Sequence, residues 1–96
     1  MHVRVTEIKL RPGVMEEAVD YGKEVTPKLK QYKGFKQLAF VQTGDDTATI
    51  LAFFATKEDG EAAAADIQYI GHMGDLLLAP PVRRSHEVPI YFLESA

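Results

Sequence analysis

Phe35-Lys36-Gln37-Leu38-Ala39-Phe40-Val41-Gln42-Thr43 and Thr47-Ala48-Thr49-Ile50-Leu51-Ala52-Phe53-Phe54-Ala55-Thr56 read as two strands that are apolar on both faces. Successive strand residues point to opposite sides, so Ala39 and Val41 oppose Leu38 and Phe40, while Leu51 and Phe53 oppose Ile50, Ala52 and Phe54. A sheet with one wet face alternates apolar with polar residues, whereas a doubly apolar sheet needs a layer on each side. The rest of the chain supplies helix for only one layer, which makes a second copy of the chain the expected cover for the other. Between the two strands, Thr43-Gly44-Asp45-Asp46-Thr47 carries the Gly and Asp residues that hairpin connections favour, so antiparallel pairing is predicted.

On the N-terminal side, Val3 to Leu10 is a β-branched run that stops at the turn Arg11-Pro12-Gly13. Val14, Ala18, Gly22, Val25, Leu29 and Tyr32 then recur at helical spacing and predict one stripe facing the sheet. Pro27 removes the amide that would bond back to Lys23, so a kink or break is expected near Thr26, with Gly34 closing the segment. On the C-terminal side, Thr56 and Asp59 resemble a capping box that opens a helix through Ala62 to Ala65 to about Ile70. Gly71 and Gly74 weaken its far end, Asp75 to Ala79 adds a short helical turn, and Pro80-Pro81 stops it. His86 to Glu94 is the expected last strand, placed at an edge or given a bulge because Pro89 lacks an amide donor. The order β-α-β-β-α-β predicts a ferredoxin-like α+β sandwich: both helices on one face of a four-stranded antiparallel sheet, the other face open. Which alternate set of strand residues meets the helices stays open, because a one-residue shift reverses every assignment.

Ninety-six residues fit one domain, and 26% charged residues with a net charge of −3 exclude a basic nucleic-acid surface. Lys28, Lys30, Lys33 and Lys36 form a solvated flank rather than a stripe. The absence of cysteine excludes disulfides, thiol nucleophiles and thiolate metal sites, and the chain begins on a strand pattern with neither a signal sequence nor a membrane span. A cytoplasmic protein is the expectation. The three histidines lack ligand spacing, Gly71-His72-Met73-Gly74 lacks the spacing of a phosphate loop, and Ser85 and Ser95 sit in no nucleophile elbow.

Leu10-Arg11-Pro12-Gly13 at the end of the first strand, Lys33-Gly34-Phe35, Ala52-Phe53-Phe54 and a histidine late in the second helix together resemble the antibiotic biosynthesis monooxygenase domain family of the dimeric α+β barrel superfamily. The resemblance spans nearly the whole chain. It implies a homodimer through the open sheet face, with a pocket between sheet and helices in each protomer that serves cofactor-free oxygenation of phenols or quinols. The family also holds haem-degrading members, which rely on Asn and Trp, and this sequence contains neither. Of the family's pair of helix-two histidines, His72 matches the second, while Asp66 stands in the region of the first.

His72 is the candidate catalytic base, since a histidine at a helix end titrates near neutrality and could take a proton from a phenol. Tyr69, three residues earlier, could share its cavity, and Tyr32 could reach the pocket mouth. Arg83 and His86, beside the start of the last strand, could hold a carboxylate or enolate oxygen or pair at a dimer rim. Phe53 completes the substrate-binding set. Two functions follow. One is a cofactor-independent monooxygenase for a small aromatic or quinol substrate, with neither metal nor cofactor. The other is a non-catalytic dimeric module, ligand-binding or stress-related, that holds a small hydrophobic molecule in the same barrel. Neither reading involves nucleic acid or a membrane.

Overall fold

The computed structural model describes residues 1–66 and 70–94, and the side chains of all of these except 70–72. Four strands form one antiparallel sheet: β1 (His2–Lys9), β2 (Phe35–Gln42), β3 (Thr47–Phe54) and β4 (Val82–Glu87), in the spatial order β2-β3-β1-β4. Helices α1 (Met15–Val25), α2 (Lys57–Ala65) and α3 (Ile70–Leu76) pack on one face, which is the ferredoxin-like α+β arrangement.

Register settles which residues meet the helices. Opposed residues in an antiparallel pair share a face, and β1 pairs Arg4 with Ala52 and Ser85, and Thr6 with Ile50 and Arg83. Leu38 and Phe40 continue the same face across β2. A register shift between Phe35 and Gln37 lets Phe35 join that face as well, its ring edge-on to Phe54 at 5.7 Å. Val3, Val5, Ala39, Val41, Leu51 and Phe53 are left on the bare side.

The helix boundaries have local causes. The α-helix stops at Val25 and the chain tightens into a 3₁₀ helix over Thr26–Gln31, with Pro27 in its first turn. Gly34, at φ +77°, makes the turn into β2; a side chain there would be strained and would collide with the Asp59 carboxylate. Thr56 caps α2 by accepting the Asp59 amide at 3.1 Å. This helix is shorter than the reading to Ile70, ending at Ala65 before α3 begins at Ile70.

The last strand also lies elsewhere than expected. It spans Val82–Glu87, whereas His86 to Glu94 was the predicted range. Val88 still donates to the Met1 carbonyl at 3.0 Å, but Pro89 has no amide to extend the ladder. The chain then leaves β4, which is indeed an edge, and Tyr91 packs on Phe53 at a centroid distance of 5.4 Å and donates to Gln37 at 2.8 Å. Both contacts are on the bare side of the sheet. Ile90, Phe92 and Leu93 project from this tail with exposures of 83%, 85% and 70%.

Between helices and sheet, Ile8, Leu10, Ala18, Ala48 and Leu76 form a dense core at one end of the strands. It is stitched by backbone bonds from Arg11 to the Leu76 carbonyl (2.9 Å) and from Leu78 to the Lys9 carbonyl (2.8 Å). The other end is hollow.

Candidate functional site

The hollow end holds a cavity of about 510 Å³. Its floor is Arg4, Thr6, Ile50, Ala52, Phe54 and Leu38 of the sheet, and its roof comes from α1, the 3₁₀ helix, α2 and α3. The cause is side-chain size. Gly22, Gly60, Ala63, Ala64 and Gly74 are small residues among those that the helices present to this space, and a methyl group built on Gly22 or Gly74 meets nothing within 4 Å. Leu29, Phe54, Leu38 and Ile50 make the walls apolar, which with a few polar groups is the usual character of a small-molecule site.

The polar members of the lining are Arg4, Thr6, Tyr21, Thr26 and Arg83. Burial first, and then the charge of Glu24, raises the Tyr21 hydroxyl above its ordinary pKa of 10.0, so this phenol stays neutral at physiological pH. Among the described residues no group of three or more metal-ligating side chains occurs.

Of the residues expected at the site, Arg83 lines the cavity. Tyr32 stands just outside it: its hydroxyl donates to Asp66 Oδ2 at 3.1 Å, tying the end of the 3₁₀ helix to the end of α2. The change from 3.6 to 3.0 residues per turn at Thr26 rotates Tyr32 off the face that carries Tyr21, and Tyr21 takes the place in the wall. Phe53 and His86 leave the sheet on its other face, away from the cavity, because both share a ladder position with Val3. Tyr69 lies outside the described residues. So does the side chain of His72, whose backbone is in α3 beside Met73, a member of the wall.

Sequence reasoning missed Arg4, Gly22 and the alanines of α2. A signal was present for Arg4, a cation between Val3 and Val5 in a strand otherwise suited to a core. For the small residues no single position is informative, since the alanine run is equally good helix anywhere.

No family model and no curated protein matches this sequence. Solved structures do match its shape. A protein of unknown function from Nitrosomonas europaea superposes with a TM-score of 0.82 over 99% of this chain and 95% of its own, at 17% identity. A candidate antibiotic biosynthesis monooxygenase from the same organism gives 0.81 over 94% and 100%, at 13% identity. A variant of MhuD with two manganese protoporphyrin IX molecules bound per active site gives 0.77 over 98% and 100%, at 14% identity. Identities this low speak for the backbone alone: the chain carries the fold of the antibiotic biosynthesis monooxygenases, the family that its sequence resembles.

Proposed function

We propose that this chain is a cofactor-independent monooxygenase for a small aromatic or quinol substrate held in the cavity between sheet and helices. The observation that carries the reading is the cavity itself, apolar, of ligand size and walled in part by α3, the helix that bears His72. In the reaction His72 takes a proton from an acidic phenol or an anthrone-type CH₂, and the resulting anion is the reductant for O₂. One oxygen atom becomes the new carbonyl, the two hydrogens lost from the substrate leave with the other as water, and the protein supplies position and a base. A porphyrin suits the site less well, since the sequence holds neither the Trp nor the Asn on which the family's haem-degrading members rely.

The working form in this proposal is a homodimer through the bare sheet face. Val41 and Val82 on that face are 44% and 53% exposed, and the tail adds Ile90, Phe92 and Leu93. An interface covering the face and tail would reach the obligate class, above about 2,000 Å². Phe53 and His86 belong to that interface rather than to substrate. Among the described residues no helix is long and apolar enough to cross a membrane. The proposal assigns the exposed apolar surface to a partner copy.

One observation favours a second reading, a non-catalytic ligand-binding module: the lining is mainly apolar, with Arg4, Thr6, Tyr21, Thr26 and Arg83 as its polar members, groups suited to hold a ligand. Oxygen uptake with dihydroxynaphthalenes, anthrones and quinols separates the two. The enzyme consumes oxygen and His72→Ala does not, while both bind a naphthol; a naphthol that binds without uptake by any member of the panel leaves only the binding module.

A further inference from the structure

We infer that the ligand of this cavity is an amphipathic anion, an aromatic or alicyclic body bearing a carboxylate, with the carboxylate held by Arg4 and Arg83. The inference rests on the cavity being a binding site, as proposed above, and not on the ligand's being oxidised there.

Arg4 and Arg83 are the charged residues of the described lining, and both are positive. They are diagonal neighbours on the helix-facing side of the β1/β4 ladder, since Arg4 pairs with Ser85 and Thr6 with Arg83. That spacing is roughly 7–8 Å between backbones, short enough for two guanidinium groups to meet on one carboxylate. Among the described residues neither has an ion-pair partner, although Arg84, on the opposite face, pairs with Glu7 at 2.9 Å. Glu87, across from His2, is Arg4's diagonal neighbour on the other side of Ser85, but it lies outside the lining and forms no ion pair with Arg4 among the described residues. Two like charges placed together at the wall of an apolar chamber repel, a cost that an anionic ligand would convert into affinity.

The chain also holds Arg4 in place. A methyl group at Gly60 would stand 3.1 Å from the Arg4 Cδ and 3.3 Å from the Phe54 Cδ2, so the α2 backbone rests directly on the arginine stem and the adjacent ring. Gly60 is buried. The stem is thus clamped between helix and sheet with its guanidinium carried toward the cavity, while Thr6 adds a hydroxyl beside Arg83. A neutral quinol would meet the same donors without pairing a charge.

Calorimetric titration with 2-naphthoate and 2-naphthol, two probes of like shape that differ in charge, tests the inference on the full chain. The wild type is expected to bind the naphthoate roughly ten-fold or more tighter, the scale of a charge-assisted hydrogen bond. Arg83→Met, at an exposed edge-strand position, and Arg4→Met should each erase most of that preference while leaving naphthol affinity in place. Lys57→Met, which removes an exposed cation paired with Glu61 at 3.8 Å, should leave it intact. Equal affinity for the two probes, or a preference that survives both arginine substitutions, overturns the inference and leaves the cavity as a site for neutral ligands. Binding of neither probe overturns both.

Discussion

The two ends of the space between helices and sheet are built from the same elements and differ in what the side chains do there. At one end Ile8, Leu10, Ala18, Ala48 and Leu76, none more than 5% exposed, fill the layer. At the other, four positions back along β1 from Ile8 and four on along β3 from Ala48, Arg4 and Ala52 face Gly60, Ala63 and Gly74 across a cavity of about 510 Å³. The helices need not move apart to make a cavity. Replacing branched apolar residues by Gly and Ala on one end of each helix is enough, with Leu29, Leu38 and Phe54 keeping the walls apolar. Packing therefore belongs mainly to one end and, in the proposed function, ligand binding to the other, and substitutions at the two ends should have different consequences.

The largest effect is expected in the packed end. Leu10 is 1% exposed, and Leu10→Ala removes its contacts where backbone bonds on both sides resist collapse. It should cost about 2–5 kcal/mol in urea unfolding. Leu38→Ala, at a half-buried position on the cavity wall, should cost less than half as much, because the space it opens is already continuous with a void. Equal losses at the two positions would erase the distinction.

Next come two of the three glycines that line the hollow end. Gly60→Ala forces a methyl against Arg4 and Phe54, so its gain in helix propensity is opposed by overpacking, and a net loss of about 1 kcal/mol is expected. The same variant should weaken the preference for naphthoate over naphthol, since it displaces the arginine stem. Gly22→Ala meets open space and should stabilise the protein by about 0.5–1 kcal/mol. Extended to Gly22→Leu, the side chain occupies the cavity and should abolish naphthoate binding while the unfolding midpoint stays at or above that of the wild type. A stable Gly22→Leu protein that still binds the probe would place the ligand elsewhere.

Much of the fold was readable from the sequence because each step had a local physical cause. The period of two in β2 and β3, the proline that ends α1 before Thr26, and the threonine that caps α2 each act within a few residues. What was not readable depended on register. Whether Leu38 or Ala39 meets the helices is set by ladder pairing across the sheet, and the irregularity between Phe35 and Gln37 shifts phase midway along one strand. The end of β4 was misjudged because the alternation from His86 to Phe92 is as apolar as a strand, yet the Pro89 ring denies it the hydrogen bond that a strand needs there. Of the expected site residues whose side chains are described, Arg83 lines the cavity. Phe53 and His86 fall on the other face by the parity of their ladder positions, and the cavity itself arises from small residues scattered over three helices that have no common sequence signature.

The smallest effect sharpens the comparison by asking what holds the hollow end shut when packing does not. Tyr32 and Asp66 supply a polar tie there, each three residues beyond a wall residue, Leu29 and Ala63. Burial, then the hydrogen bond and charge of Asp66, raises the Tyr32 hydroxyl above its ordinary pKa of 10.0. The folded state thus favours the neutral phenol. The tie is fully present below pH 10.0, the unfolded value, and is lost as pH rises through the higher folded value, where a phenolate would face the carboxylate. Wild-type stability should accordingly fall as pH is raised past that point, and Tyr32→Phe should show a shallower fall together with the loss of a late-titrating step in tyrosine absorbance. The variant should also bind 2-naphthoate with a faster off-rate at neutral pH, since α2 and the 3₁₀ helix separate more readily over the cavity. If unfolding and release rates are both unchanged by Tyr32→Phe, the hollow end is held by its apolar walls alone, and the division between a packed end and a tied end gives way to one continuous core with a gap in it.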